Sequence, residues 1–436
     1  MELKKIIHIS SSPAAQWKTQ NAPKVCDGAA TLKTTGRKLQ SWKGFGGCFN
    51  ELGQIALNRL SAKDRKTVLD ELFSDETGCG FNYCRLPIGA NDYARSWYSH
   101  NEHEGDFGME KFSIARDHEL LIPYLREALA YRPDMYLFAS PWSPPTWLKF
   151  PQAHNHGRII WEENYLKAYA KYFIRFVKEY AKEGFRIDAV HVQNEPDSDQ
   201  KFPSCCWTGA AMRDFIRDYL GPAFEQAKLD CEIWLGTIER PQYNNWVLPT
   251  LSDPDALKYT AGVGFQWAGK FAVQRTHDTF PNLPLIQTEN ECGNGDNDWW
   301  HAHHVFDMMQ HYITNGVEAY VYWNMVLEPR GISTWGWAQN SMITVEAKTR
   351  TVAYNPEFYV MKHFARFVKR GAHVLELDGP WRGNALAFEN SDGSVAWILQ
   401  NRFEENRTVF LDTGKQTLEL TLAPLSITTL FQGSEK

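Results

Sequence analysis

Between Glu162 and Lys182 the apolar residues Leu166, Tyr169, Phe173, Phe176 and Tyr180 recur in steps of three and four. That spacing matches the 3.6-residue period of an α-helix and predicts a helix over 162–182 with one apolar stripe. Gly184 follows as a C-terminal stop, because glycine accepts the left-handed conformation that ends many helices. A short apolar run, Ile187–Val192, then reads as a buried strand. A second helix is predicted over Ala62–Phe73. Ser61 is its N-cap, and Asp64 sits where a carboxylate meets the positive end of the helix.

Strand-like runs recur at Phe81–Leu86, Met135–Ala139, Ala189–Val192, Cys231–Gly236, Gly262–Trp267, Leu285–Thr288 and Ala319–Trp323. Helical patterns lie between most of them, and alternating β and α units imply a parallel sheet. This many units over 41–367 predict an α/β fold of the closed (β/α)8 TIM-barrel type rather than an open doubly wound sheet. No GxGxxG follows a first strand, which argues against a dinucleotide-binding domain. After about Ala372 the texture changes to short β-like runs: Ala385–Glu389, Val395–Leu399, Thr408–Leu411, Leu418–Leu422 and Ser426–Leu430. Asn390-Ser391-Asp392-Gly393 forms a turn between the first two. Residues 368–436 are therefore expected to form a small side β-sandwich. The polar, β-like residues 1–40 are expected to add strands to it.

Composition narrows the class. Hydrophobic residues are 43% and charged residues 22% of the 436, which fits an ordinary globular chain and excludes a disordered one. The net charge of −6 leaves no basic excess and argues against a nucleic-acid partner. No apolar run reaches the ~18–20 residues of a membrane span. Lys4 and Lys5 precede only Ile6, Ile7, His8 and Ile9, too short a core for a secretory signal, so a cytoplasmic location is expected, the alternative being a secreted chain whose signal has been removed. The eight cysteines show no paired CxxC spacing and read as buried reduced thiols.

His301, His303 and His304 share a predicted helix but lack the i, i+4 spacing with an intervening Glu that marks a zinc-protease helix. Asp197, Asp199, Asp296 and Asp298 read as solvated acids rather than calcium ligands. No metal and no cofactor is expected. The aromatic content is 14%, with 17 tryptophans. An indole offers a flat apolar face beside a polar handle, which suits a sugar, although core packing uses the same residues.

In a barrel of this kind, functional groups gather where strands end. Ala189–Val192 is followed by Gln193-Asn194-Glu195-Pro196, and Leu285–Thr288 by Glu289-Asn290-Glu291-Cys292. Arg85 follows Phe81–Cys84, Ser140-Pro141-Trp142 follows Met135–Ala139, and Trp323-Asn324 follows Ala319–Tyr322. A glutamate at a strand end is more often solvated or salt-bridged than reactive. Two that face each other, however, fit glycosidic-bond cleavage, where one protonates the leaving oxygen and the other attacks or activates water. On that reading Glu195 is the general acid and then base, and Glu289 the nucleophile. Asn194 would hydrogen-bond a sugar 2-OH, and Arg85, counted among the substrate-binding candidates, would hold Glu289 ionised. A separation of about 5–5.5 Å would imply retention.

An ordered set of motifs runs along nearly the whole chain. It comprises Gly44-Phe45-Gly46-Gly47 with Glu51, Asn82-Tyr83-Cys84-Arg85-Leu86-Pro87 and Asp92. It continues with Ala139 to Trp147, Gln193-Asn194-Glu195-Pro196, Thr288-Glu289, Tyr322-Trp323-Asn324 and Pro356-Glu357-Phe358-Tyr359. With these the chain resembles glycoside hydrolase family 30, the glucosylceramidase-like retaining β-glycosidases. The resemblance implies a barrel with a side β-sandwich built from both termini. It maps the acid/base onto Glu195 and the nucleophile onto Glu289. It also places Asp92, Trp142, Asn194 and Trp323 at positions that line the sugar pocket, with Asp92 of a kind that binds two adjacent hydroxyls.

Two departures stand out. Glu291 lies two residues past Glu289, on the same side by strand alternation, and rivals it as nucleophile. The family's frequent His-Trp-Tyr run reads Gln266-Trp267-Ala268 here, which removes a hydrogen bond to the nucleophile and puts a ceramide-linked substrate in doubt. Trp335 and Trp337 are candidates to restore that wall, and Trp267 is retained as a substrate-binding candidate.

The expected activity is exo-acting hydrolysis of β-glucosides, with a carbohydrate substrate as the partner. Endo-β-glucanase, xylanase, β-xylosidase and β-fucosidase activities are the alternatives within the family. A non-catalytic carbohydrate-binding protein is the alternative outside it.

Overall fold

The computed structural model describes residues 6–434. Met1–Lys5, including the lysines used in the leader argument, lie outside the described residues. Among the described residues, eight parallel strands close into a barrel. In chain order they are β1 (Gly44–Cys48), β2 (Tyr83–Ile88), β3 (Tyr136–Pro141), β4 (Ala189–His191), β5 (Glu232–Ile238), β6 (Thr260–Gln266), β7 (Leu285–Glu289) and β8 (Val317–Asn324). Each pairs with its neighbours in chain order, and β8 returns to β1 with Val321 opposite Gly46.

Seven of these strands fall where the apolar runs predict them. β1 does not, because its sequence, Gly44-Phe45-Gly46-Gly47-Cys48, has low strand propensity. Packing explains the glycines. A Cβ on Gly46 would lie 1.9 Å from the Tyr83 carbonyl oxygen of β2, and one on Gly47 2.3 Å from Met325 Cγ. The absent side chains let β1 approach β2 and the chain that leaves β8.

The helix predicted over 162–182 spans Glu163–Lys182, and its stripe from Leu166 to Tyr180 is buried against the barrel. Gly184 follows it at φ +85°. The Ala62–Phe73 helix has the predicted cap, with the Ser61 side chain accepting from the Asp64 amide.

Inside the barrel Tyr83, Phe138, Trp234, Ile286 and Val321 form a plug, so the interior is packed rather than open. In β2 side chains alternate across the sheet. Tyr83 joins the plug, and Arg85, two residues on, faces inward nearer the C-terminal mouth.

The sandwich draws on both ends of the chain. Ile6–Ser12 pairs antiparallel with Ser426–Gln432, and Leu32–Ser41 with His373–Asp378. Both belong to a ten-stranded sheet that also holds the five runs predicted after Ala372. Alternate residues of Val395–Asn401 serve two cores. Trp397 and Leu399 pack with Leu418, Leu420 and Leu430 inside the sandwich, whereas Ala396 and Ile398 join the core shared with the barrel. Burial of both faces is why this segment reads as a continuous apolar run. The eight cysteines are unpaired; Cys26, Cys206 and Cys231 are only partly buried. No helix among the described residues is long and apolar enough to cross a membrane.

Candidate active site

A cavity of about 260 Å³ opens at the C-terminal ends of the barrel strands, close to the small end of ligand pockets. Asp92, Trp142, Asn194, Glu195, Trp267 and Glu289 line it. The sequence thus anticipates six of its lining residues, from five separate segments. The chain beyond β4 is clamped between its neighbours. The Asn194 amide donates to the Pro141 carbonyl (2.8 Å) and the Glu195 amide to the Thr237 carbonyl (3.2 Å). Glu195 and Trp267 both adopt φ +48°, the left-handed region that non-glycine residues seldom occupy. Backbone held there by its surroundings is characteristic of sites where a side chain must be aimed.

Arg85 organises the floor. It is fully buried and donates to Glu289 Oε2 (2.8 Å), Asn194 Oδ1 (2.6 Å), Ser140 Oγ (2.8 Å) and Gln266 Oε1 (3.2 Å). Its guanidinium lies 4.5 Å from the Trp142 ring centre. Trp323 stacks behind Trp142 at 5.6 Å and donates to Gln339 Oε1 at 2.8 Å. Neither Arg85 nor Trp323, both candidates for substrate contact, lines the cavity. Arg85 instead bonds Glu289 and Asn194, and Trp323 packs on Trp142, three residues that do line it.

Gln266 is the residue that the sequence reading passed over. Its Nε2 is 3.2 Å from Glu195 Oε1, 3.2 Å from Glu289 Oε2 and 3.2 Å from Asn194 Oδ1. The two carboxylate oxygens can therefore stand no further apart than twice that distance. The Gln266-Trp267-Ala268 run has no tyrosine to bond the nucleophile candidate, but Trp267 Nε1 donates to Glu289 Oε1 at 3.2 Å. Trp337 stacks beside Trp267 at 6.3 Å and lines the cavity. Trp335 instead packs on Phe202 and Trp337, outside the lining.

The shared-side expectation for Glu291 fails. β7 ends at Glu289, and the chain turns as Asn290 bonds to Tyr320. Glu291 then points away from the cavity to Lys270 and to His304 Nε2 at 2.8 Å. Those partners hold its carboxyl down at about 2 against the pull of burial. His303 lies against Gln400 of the sandwich, away from His304. No group of acids, histidines and cysteines able to hold a metal occurs among the described residues.

The two cavity glutamates sit in different fields. Burial raises the Glu195 carboxyl well above its ordinary range, and the charge of Glu289 adds to the rise. Burial also raises Glu289, but Arg85, Trp267 and Gln266 pull it back toward the ionised form. Asp92 is pushed up to about 8 by burial and by Glu289. Its Oδ2 accepts a long bond from Gln339 (3.4 Å), while its buried Oδ1 has no partner. Asn194 Oδ1 accepts from Arg85, Gln266 and Thr237 Oγ1 (3.2 Å), which leaves its NH2 for a ligand.

The cavity also has a wall that the strand-end reading missed: Ser198, Gln200, Phe202, Glu239, Arg240 and Gln339. Glu239 follows β5, so reading past Gly236 by the same rule reaches it.

Paired carboxyl groups at the mouth of a (β/α)8 barrel fit a glycoside-cleaving enzyme. Residues 42–368 match the model of the glycosyl hydrolase family 30 TIM-barrel domain, and 384–430 that of the glycosyl hydrolase family 30 beta sandwich domain. The chain belongs to glycosyl hydrolase family 30.

It is 30% identical to putative glucosylceramidase 1 of Caenorhabditis elegans, over 91% of this chain and 81% of that protein. It is 29% identical to the lysosomal acid glucosylceramidase of Mus musculus (85% and 76% covered). It is 26% identical to an endo-1,6-beta-D-glucanase of Neurospora crassa (85% and 80%). Among solved structures, SrfJ from Salmonella typhimurium superposes with TM-score 0.90 at 25% identity, covering 99% of this chain and 100% of that one.

Proposed function

We propose that the protein is a retaining, exo-acting β-glycosidase for β-glucosides, with Glu195 as acid/base and Glu289 as nucleophile. The observation that carries this reading is the single Gln266 nitrogen held at 3.2 Å by both carboxylates. That shared contact keeps one oxygen of each carboxyl close to the other, which supports the short spacing of retaining enzymes over the wider ~6.5–9.5 Å of inverting ones, which must admit a water between carboxylate and sugar.

In the first step a Glu289 oxygen attacks the anomeric carbon while Glu195 passes its proton to the leaving oxygen, and the glycosidic C–O bond breaks. In the second, Glu195, now ionised, takes a proton from water. The water oxygen bonds the anomeric carbon, the ester to Glu289 opens, and the original configuration returns. The fields differ in the sense these roles need: burial and the charge of Glu289 favour the protonated form of Glu195, whereas Arg85 works against burial to favour the ionised form of Glu289. The free NH2 of Asn194 is available to the sugar 2-OH, and the unpartnered Asp92 Oδ1 to hydroxyls further round the ring.

A glucose-type ring is supported by the small cavity and by the relatives' names, glucosylceramidase and endo-1,6-beta-D-glucanase. Initial rates on aryl β-glucoside, β-xyloside, β-fucoside and β-galactoside, beside the Glu195→Gln protein, test the reading. Preferred turnover of the glucoside, with a loss of orders of magnitude in the variant, is expected. Preference for another glycone replaces the sugar assignment. Turnover that the variant preserves removes Glu195 from the mechanism.

A further inference from the structure

The acid/base must face the leaving oxygen, so the wall beside Glu195 is where the departing group sits. That wall is formed by the chain beyond β5, the strand next to the one that carries Glu195, and by the 196–202 loop. Asp92, which follows β2, stands three strands round the barrel from β5. The two acids therefore serve different ends of the cavity.

The leaving-group wall is polar. It presents Ser198, Gln200, Glu239 and Arg240, with Phe202 as its bulky apolar member. Glu239 is only 3% exposed, and its two oxygens are treated differently by the fold. Oε1 accepts from the Asp197 amide (3.0 Å) and from Ser198 Oγ (3.1 Å). Arg240 Nε lies 3.4 Å from the same oxygen. Oε2 is buried and has no partner. A buried carboxyl oxygen without a donor is costly unless something brings it one. The loop's own bonds are complete at Oε1, so anchoring the loop does not account for Oε2.

We propose that Glu239 accepts a hydroxyl of the leaving group, and that this end of the cavity is built for a saccharide rather than an alkyl or lipid chain. The inference rests on the reading of Glu195 as acid/base and deepens it by naming the leaving-group class. An acyl or alkyl chain in the same place would leave Glu239 Oε2 desolvated against hydrocarbon, with no donor to pair it, while Ser198 and Arg240 stay tied to Glu239 Oε1 and Asp197. A second sugar supplies hydroxyl donors to Glu239 and acceptors to Arg240. Burial raises the Glu239 carboxyl to about 7, so near neutral pH an incoming hydroxyl meets a group that can accept or donate.

Two measurements decide the matter. With the wild-type protein, kcat/KM is compared between β-linked glucose disaccharides and a long-chain alkyl β-glucoside. The best disaccharide is expected to exceed the alkyl substrate at least tenfold, and the reverse order overturns the inference. Glu239→Gln, checked by circular dichroism, is then compared with wild type on that disaccharide and on aryl β-glucoside, which has no leaving sugar. The disaccharide is expected to lose at least ten times more kcat/KM than the aryl substrate, mainly through KM. Equal losses on both mean that Glu239 acts only by holding the 196–202 loop, and overturn the inference alone. Wild-type protein that cleaves no β-glucoside of either kind overturns the acid/base reading beneath it, and the inference with it.

Discussion

Arg85→Lys isolates what the floor of the cavity does. The substitution keeps a positive charge of similar size but replaces a five-donor planar fork with a point charge carrying three donors. The fork presently spans Glu289 at 2.8 Å, Asn194 at 2.6 Å and Ser140 at 2.8 Å, on three different strand ends. A lysine ammonium cannot reach all three. A hydrogen bond to a charged group contributes about 1.5–3 kcal/mol, so the loss of the Glu289 bond alone predicts a fall in kcat/KM of about 10- to 150-fold.

The pH profile makes the prediction specific. Arg85 lowers the Glu289 carboxyl against the rise caused by burial. Weakening that contact raises the pKa of the nucleophile. The acid limb of kcat/KM, which falls as pH drops through that pKa, must therefore move to higher pH. The assay is aryl β-glucoside hydrolysis across pH, with thermal melting to establish that the variant is folded. A folded Arg85→Lys protein with rates within threefold of wild type and an unmoved acid limb would refute the assignment of Arg85 as the group that keeps Glu289 ionised.

Three other outcomes follow from the same geometry. Glu289→Gln abolishes steady-state turnover with the fold intact, whereas Glu291→Gln, which faces Lys270 and His304, keeps turnover within about threefold; parallel rate assays check both. Asp92→Asn lowers activity at least tenfold yet raises the melting temperature at pH 9. The Asp92 carboxyl titrates at about 8 when folded and near ~3.9 unfolded, so wild type loses stability as pH rises from about 4 through about 8, and the amide does not. Melting curves at pH 4 and pH 9 read the difference, which vanishes at the acid end. Gly46→Ala destabilises by about 3 kcal/mol in denaturant titration, because its Cβ would meet the Tyr83 carbonyl at 1.9 Å, while Gly383→Ala, with open space around it, stays within about 0.5 kcal/mol.

What the chain reveals of itself follows the physics of each segment. The Glu163–Lys182 helix is legible because a single buried face forces a 3.6-residue period on its apolar residues. Seven barrel strands are legible because burial on both faces makes them continuous apolar runs. β1 is hidden because close backbone approach replaces its side chains with glycine. His373–Asp378 is hidden because only Val374 and Leu375 within it are buried. The carboxylates and Asn194 are visible from their place after strands. The difference between Glu289 and Glu291 is not, since it depends on where β7 stops and on partners from distant segments. Gln266 and Glu239 were within reach of the strand-end rule. Their importance lies in contacts to Glu195 and the 196–202 loop, which only the closed barrel creates.

The proposed mechanism passes through a covalent glycosyl-enzyme formed at Glu289. Incubation with a 2-deoxy-2-fluoro β-glucoside bearing a good leaving group slows both steps and lets the intermediate accumulate. Peptide mass spectrometry of the inactivated protein should then show one fluoroglucosyl unit on Glu289. A label on Glu291, or hydrolysis of β-glucosides with inverted product and no label at all, would contradict the account.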